Sequence, residues 1–213
     1  GKSIEVPMLV LANQQSAGRG QQGRTWWSDD GALTFSLIVE PAGCAPLSLI
    51  MGLAVAKALA GLLPDENIRL KWPNDVLVDG RKVGGILVES PSAARYQVIG
   101  VGCNIHNSAQ QAPEELQDQM IALCDLQRQP PTLYATLCAI LKEFAALHDN
   151  SQQPSFDLVG LWSPYCALTG HHVRLQNGAG LHSGVCHGID HNGALLLAGD
   201  QGTTAVSSGH VLI

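Results

Sequence analysis

Basic residues are scarce in this chain of 213 residues: 12 lysines and arginines face 18 aspartates and glutamates, for a formal charge of −6 and a pI near 5.7. That balance excludes the basic stripe on which a nucleic-acid surface depends. There is no Cys-x-x-Cys pair. The six cysteines, Cys44, Cys103, Cys124, Cys138, Cys166 and Cys186, are scattered, mostly in apolar runs, and read as buried thiols of a reducing compartment such as the cytoplasm. The start, GKSIEVPMLVLANQQ, lacks the basic, long apolar and small-residue pattern of a secretory peptide. No run is apolar enough for a membrane span of ~20 residues. The best candidate, Ala45 to Leu63, contains Ser48 and Lys57, and its Leu47, Ile50, Met51, Ala54, Val55, Ala58 and Leu62 recur at helical spacing. It reads as a helix packed on a sheet and stopped by Pro64. Internal repeats and low-complexity tracts are absent, and the length suits one ordinary domain plus a small appendage.

What is present is a glycine-rich loop between two strand-like runs, GRGQQGRTWW, Gly18 to Trp27. Gly18, Gly20 and Gly23 let backbone approach an anion, Arg19 and Arg24 offer charge-assisted donors, and Trp26 offers a flat face. Alone, the loop reads equally as a solvated surface turn. Fifty residues on stands KWPNDVLVDGRKVGGILVE. Pro73 pushes Trp72 toward extended backbone, so Lys71 and Trp72 should finish a strand with Asn74 and Asp75 at the turn beyond. Val76–Val78, Asp79-Gly80 and Arg81–Glu89 form a hairpin pattern with a tight turn. Strand parity puts Lys82, Gly84, Ile86 and Val88 on one face, and Val83, Gly85 and Leu87 on the other. The paired glycines signal either a bulge or a ligand pressed on the backbone. The next strand, Tyr96 to Ile105, places Gly100, Gly102 and Asn104 on one face, a flat patch ending in an amide. A twisted sheet with incidental glycines is the plainer alternative.

Beyond these motifs, Pro113–Gln127 and Thr132–His148 read as helices, the second with a stripe of Leu133, Leu137, Ile140, Leu141 and Phe144. Phe156–Trp162 reads as a third, short one. From Thr169 the chain is short apolar runs punctuated by Asn177-Gly178, Ser183-Gly184, Asn192-Gly193 and Gly199-Asp200, the signature of a small β-barrel. His171, His172, His182, His187 and His191 crowd this part beside Cys186. Their spacing fits solvated turns better than a zinc site, and no protein metal ligands are assigned.

In this order and spacing, GRGQQGRTWWS, KWPND, DGRKVGGILVE and GVGCNIHN resemble the catalytic domain of biotin protein ligases, the family that attaches biotin to a lysine of biotin-dependent carboxylases. The likeness runs by motif from about Leu11 to Ile105 and by layout alone from Ala112 to Ile213. It implies an α/β (α+β) fold of class II synthetase type over residues 1–165, a mixed, largely antiparallel sheet packed with helices, and an SH3-like β-barrel over residues 166–213. It also implies a cytoplasmic enzyme with ATP, Mg²⁺ and biotin at its site. Biotin's carboxylate attacks the α-phosphate of ATP to give biotinyl-AMP and pyrophosphate, and a lysine of a biotin carboxyl carrier protein displaces AMP.

Carried onto this chain, Gln15, Gly18, Arg19, Gly20 and Gln21 match the biotin-binding loop. Lys82 would meet the biotin carboxyl and acyl phosphate, in a slot cleared by Gly84, Gly85, Gly100 and Gly102. Arg24, Trp26 (stacked on adenine), Lys71, Asn74 and Asn104 would serve the nucleotide. Arg19 and Lys82 would act in catalysis, with Asp75 steering or deprotonating the incoming lysine; a turn-capping aspartate is the bland alternative.

The chain departs from the family's pattern twice. The Ser-Thr-Asn triplet usual before the glycine loop is missing and the chain starts only fourteen residues before Gln15, without methionine, so an absent preceding segment and poor biotin binding are expected. Nothing before Gly18 is long enough for the helix-turn-helix that some relatives carry. Gln21 replaces a usual arginine, a loss of ~1–2 kcal/mol of adenylate retention if the contact is charge-assisted, measurable as adenylate dissociation against a Gln21→Arg chain. Three rival readings remain. A lipoate ligase shares the fold, but KWPND and Trp26 favour biotin. A non-catalytic biotin or nucleotide sensor would bind both ligands without releasing pyrophosphate, as a homodimer through a sheet edge. An SH3-like peptide adaptor leaves Gly18 to Asn104 unexplained.

Overall fold

The computed structural model describes residues 5–41, 45–91, 95–200 and 202–212; Cys44 lies outside them. Six strands, β1 (Met8–Ala12), β2 (Ala32–Val39), β3 (Ile68–Lys71), β4 (Asp75–Val78), β5 (Arg81–Glu89) and β6 (Gln97–Asn104), form one sheet in the order β1-β2-β6-β5-β4-β3. Every neighbouring pair is antiparallel. Helix α1 (Leu47–Leu62) lies on this sheet and α4 (Leu133–Asn150) covers α1. Being sandwiched, α1 is buried well beyond the expected stripe: Leu49, Leu53, Ala56 and Leu59 are at most 1% exposed. The expected stripe of α4 holds, with Leu137, Ile140 and Phe144 buried and Leu133 and Leu141 packed at its margin. Thr132 caps that helix by accepting from the Ala135 amide at 3.1 Å.

The Asp79-Gly80 turn has both residues at positive φ, 48° and 78°, the pairing that matches strand twist in a two-residue hairpin. Asp75 opens β4 rather than sitting in the preceding turn, and Trp72 has already left β3. A second correction concerns Pro113–Gln127, which is two single turns, α2 (Glu114–Gln117) and α3 (Leu123–Leu126). Between them the backbone pairs with β5: Lys82 N donates to Gln119 O at 2.8 Å and Ile121 N to Lys82 O at 3.0 Å. Groups spent on a strand cannot close helical turns, and the pairing draws Ile121 wholly into the core.

After the short α5 (Leu158–Trp162), capped by Asp157, come β7 (His172–Asn177), β8 (Gly180–Ile189), β9 (Leu195–Gly199), β10 (Gly202–Val206) and β11 (His210–Leu212), an antiparallel sheet in the order β10-β9-β8-β7-β11. Ser183-Gly184 is not a turn but the middle of β8. Its glycine lets β9 approach, since a Cβ there would fall 2.5 Å from the Ala198 carbonyl oxygen. Two bonds tie the connector before this sheet to β3, Ala167 N to Leu70 O (2.8 Å) and Arg69 to the Pro164 carbonyl (2.5 Å), and the buried Trp72 indole N–H reaches Gly193 O in the β8–β9 turn (3.0 Å).

The thiols are less uniformly buried than their apolar neighbours imply. Cys103 and Cys186 are buried, Cys124 and Cys166 partly so, and Cys138 is exposed on α4. At the edge of the large sheet, Met8, Leu9, Val10 and Leu11 of β1 are all exposed. Among the described residues no helix is long and apolar enough to cross a membrane.

Candidate functional site

A cavity of about 990 Å³ opens on the large sheet. Its walls are the glycine loop, the β3–β4 turn, β5, β6, the 116–120 segment and the end of β11. The loop is a tight curl closed on itself: Gly20 N donates to Arg24 O (2.7 Å) and Trp26 N to Gly18 O (2.9 Å). Gly23 turns the chain at φ 74° with no neighbour near its missing Cβ, so its glycine answers to backbone conformation, not to crowding.

Most of the residues expected at the site line this one cavity: Gln15, Arg19, Gly20, Gln21, Arg24 and Trp26 from the loop; Lys71, Asn74 and Asp75 from β3, the turn after it and the start of β4; Lys82, Gly85, Gly100, Gly102 and Asn104 from β5 and β6. Gly18 lies beneath, pressed against the Trp26 carbonyl, and Gly84 faces away, against Gly102 O and Cys103. Strand parity failed at Gly84 because β5 bulges. Val76 pairs with Gly84 but Leu77 pairs with Lys82, so Val83 is the extra residue and every side chain before it changes face. Lys82 therefore shares the cavity with Gly85, whose missing Cβ would meet Lys82 Cε and Nζ at 3.2 and 3.3 Å.

The flat patch on β6 is where the indole of Trp26 sits. A Cβ on Gly102 would fall 2.5 Å from Trp26 Cζ2 and 2.7 Å from Nε1. That places Trp26 beside Gly102 and Gly85, two of the glycines expected to clear the slot. Its Nε1 is buried and has no hydrogen-bond partner among the described residues. Lys82 Nζ lies 5.6 Å from the centroid of the same ring and 2.5 Å from Asp75 Oδ1, a close ion pair with both side chains partly open to solvent.

The two asparagines are tied into the fold. Asn74 donates to Ile86 O at 2.9 Å. Asn104, 2% exposed, donates to Ile121 O (3.3 Å) and accepts from Asn107 (2.9 Å), so its amide clamps the 121 segment to β6. Arg19 is turned outward onto Glu89 at 3.7 Å, in an exposed pair. Burial pulls Lys71 below the ordinary lysine value; nearby Asp75 opposes this, while Lys82 and Arg24 add to it. Lys71, Lys82 and Arg24 thus gather three cations around the Asp75 carboxylate in this cavity, which suits a site for an anion.

The profile of the biotin/lipoate A/B protein ligase family matches residues 2–106. The biotin–[acetyl-CoA-carboxylase] ligase of Paracoccus denitrificans is 32% identical over 95% of this chain and 88% of its own length, and that of Mycobacterium tuberculosis 32% over 96% and 78%. This chain belongs to the biotin protein ligase family. Against the bifunctional ligase/repressor BirA of Bacillus subtilis, 30% identical, it covers 95% of itself but only 65% of that protein. Among solved biotin protein ligases, the Aquifex aeolicus protein in complex with biotin and ATP superposes with a TM-score of 0.88 at 27% identity, covering 99% of this chain and 90% of that one. The fold is accordingly the mixed, largely antiparallel α/β arrangement of this family with a small carboxyl-terminal β unit.

Sequence reasoning missed the residues that reach the cavity from remote elements. Gln119 and Met120 arrive through their strand-like pairing with Lys82. His210, Val211 and Leu212 arrive on β11, and His210 Nδ1 lies 3.4 Å from Arg24 Nη2. Nothing local marks them. Glu89 was legible, since two steps along β5 from Leu87 it shares that residue's side of the strand.

Proposed function

We propose that this chain is an ATP-dependent biotin protein ligase that forms biotinyl-5′-AMP and passes biotin to a lysine of a biotin carboxyl carrier protein domain in a biotin-dependent carboxylase. Relatives with that named activity, and a solved relative holding biotin and ATP, support the reading. The single observation that carries it is Lys82, ion-paired to Asp75 and set beside the Trp26 indole, at the cavity floor. One cation can there meet a carboxylate whose apolar body lies along an aromatic wall.

In this reading Trp26, Gly85, Gly100 and Gly102 wall the biotin end, with the indole N–H, which has no partner among the described residues, donating to a polar group of the ligand. Lys71 and Arg24 hold the phosphates, while Lys82 stabilises charge as the carboxylate attacks phosphorus and pyrophosphate leaves. Asp75, freed from Lys82 by the adenylate, receives the proton of the carrier's lysine amine so that the neutral amine can attack the acyl carbon and AMP depart. The donor set suits Mg²⁺ held mainly by phosphates: the cavity is lined by the carboxylates Asp75, Glu89 and Asp118, of which Asp75 stands beside Lys82, and by Asn74, whose amide nitrogen donates to Ile86 O. When bound, Mg²⁺ would neutralise phosphate charge. Residues 1–165 would supply the chemistry and 166–213 a lid and partner surface, in a cytoplasmic setting.

Biotin-dependent exchange of pyrophosphate into ATP, with lipoate in parallel, tests the proposal. We expect exchange with biotin only, falling on the order of 10²-fold in Lys82→Gln. Exchange driven by lipoate, or biotin and ATP binding without exchange, would overturn it.

A further inference from the structure

Three cations and one carboxylate act on His210 from four separate elements: Arg24 from the glycine loop, Lys71 from β3, Asp75 from β4 and Lys82 from β5. Its register partner on β7, Gln176, carries no charge. The imidazole stands half-buried in the cavity wall, with Nδ1 toward the Arg24 guanidinium at 3.4 Å. A guanidinium only donates. The contact therefore requires a lone pair on Nδ1 and the ring proton on Nε2. The surroundings favour this neutral form: burial first, then the charges of Arg24 and Lys71 and, more weakly, Lys82 hold the group below its ordinary value of 6.5, with Asp75 opposing.

An entering polyanion would oppose that field. Phosphate oxygens would accept from Arg24, drawing the guanidinium off Nδ1, and their negative charge would act against the three cations around the ring. We propose that His210 is a proton-linked ligand of the nucleotide's phosphates: on nucleotide binding Nδ1 takes a proton from solvent and donates to a phosphate oxygen. No covalent bond changes; one proton passes from buffer to ring. This rests on the ATP reading above and deepens it, because it makes the carboxyl-terminal sheet part of the nucleotide site and couples its closure to pH. By linkage, a group whose pKa is raised by the ligand tightens binding as pH falls.

The test is calorimetric binding of the β,γ-imido analogue of ATP with Mg²⁺ to the full chain and to His210→Gln, at about pH 6 and about pH 8. Buffers of different ionisation enthalpy count the protons. Any titration of the ligand itself is common to both proteins and cancels. We expect affinity to rise about fivefold more in the unmodified chain than in the variant between those pH values, with extra proton uptake only in the former. Equal slopes and equal uptake, with both proteins binding, would overturn the proposal and leave the nucleotide reading standing. Absence of binding by either protein would overturn both. Ring nitrogen shifts of His210 in the unmodified chain give a reading that needs no variant: saturation with the analogue should convert a neutral, Nε2-protonated ring to imidazolium, and a ring that stays neutral sinks the idea.

Discussion

Gly102 shows how much a missing methyl group can decide. The indole of Trp26 occupies the space a side chain there would need, whereas a Cβ on Gly100 would meet the Leu87 carbonyl oxygen at 3.5 Å and Leu87 Cβ at 3.8 Å, both ordinary contacts. Gly102→Ala should therefore displace Trp26, at a cost of about 1–3 kcal/mol. It should also shift the tryptophan emission toward that of an exposed indole and weaken biotin binding at least tenfold. Gly100→Ala should change the emission little, and fluorescence with biotin titration distinguishes the two. Both glycines were marked by strand parity on β6, because that strand keeps its register with β2 from end to end. What parity could not indicate is the occupant of the cleared space, which comes from a loop some seventy-five residues earlier.

At the scale of elements, periodicity read well wherever local backbone needs were met locally. The Asp-Gly hairpin, the capped α4 and α1 ending before Pro64 are cases in which turn chemistry, capping and spacing agree. It failed where backbone groups are claimed from a distance. Val83 bulges out of the β4–β5 ladder, and residues 119–121 leave the helical state to pair with Lys82. Ser183-Gly184 looked like a turn because Gly often marks one; here it marks a close approach of two strands. Gly184→Ala should accordingly lower the unfolding free energy by about 1–3 kcal/mol. Gly178→Ala, in a real turn with nothing within 4 Å of its missing Cβ, should cost well under half of that. Urea midpoints of the two variants check the contrast.

Across the whole molecule, the two sheets wall one cavity. The carboxyl-terminal sheet is seated by the buried Trp72–Gly193 bond, and a Cβ on Gly193 would reach Pro46 Cγ at 3.0 Å. From that seat β11 extends His210 to the glycine loop. Trp72→Phe keeps an aromatic ring but removes the indole N–H and part of a buried side chain, so the Gly193 carbonyl loses its donor and a void is left, a combined loss of about 2–4 kcal/mol. We expect a lower melting temperature and faster amide exchange in β11, together with weaker nucleotide binding. Unchanged nucleotide affinity in a variant with loosened β11 would separate that sheet from the site.

The sequence by itself determined the family, the glycine loop, the hairpin that carries Lys82, the β6 patch and the switch to short strands after residue 164. Each is written in contiguous residues whose φ preference, alternation or charge acts locally. Tertiary structure alone decided that Gly85 and not Gly84 clears room for Lys82, that Trp26 fills the β6 patch, that Asn104 is spent as an internal clamp, and that His210 faces Arg24. These facts depend on which distant backbone competes for a strand's hydrogen bonds and which side chain reaches a cleared surface first, and neither is encoded in any one segment.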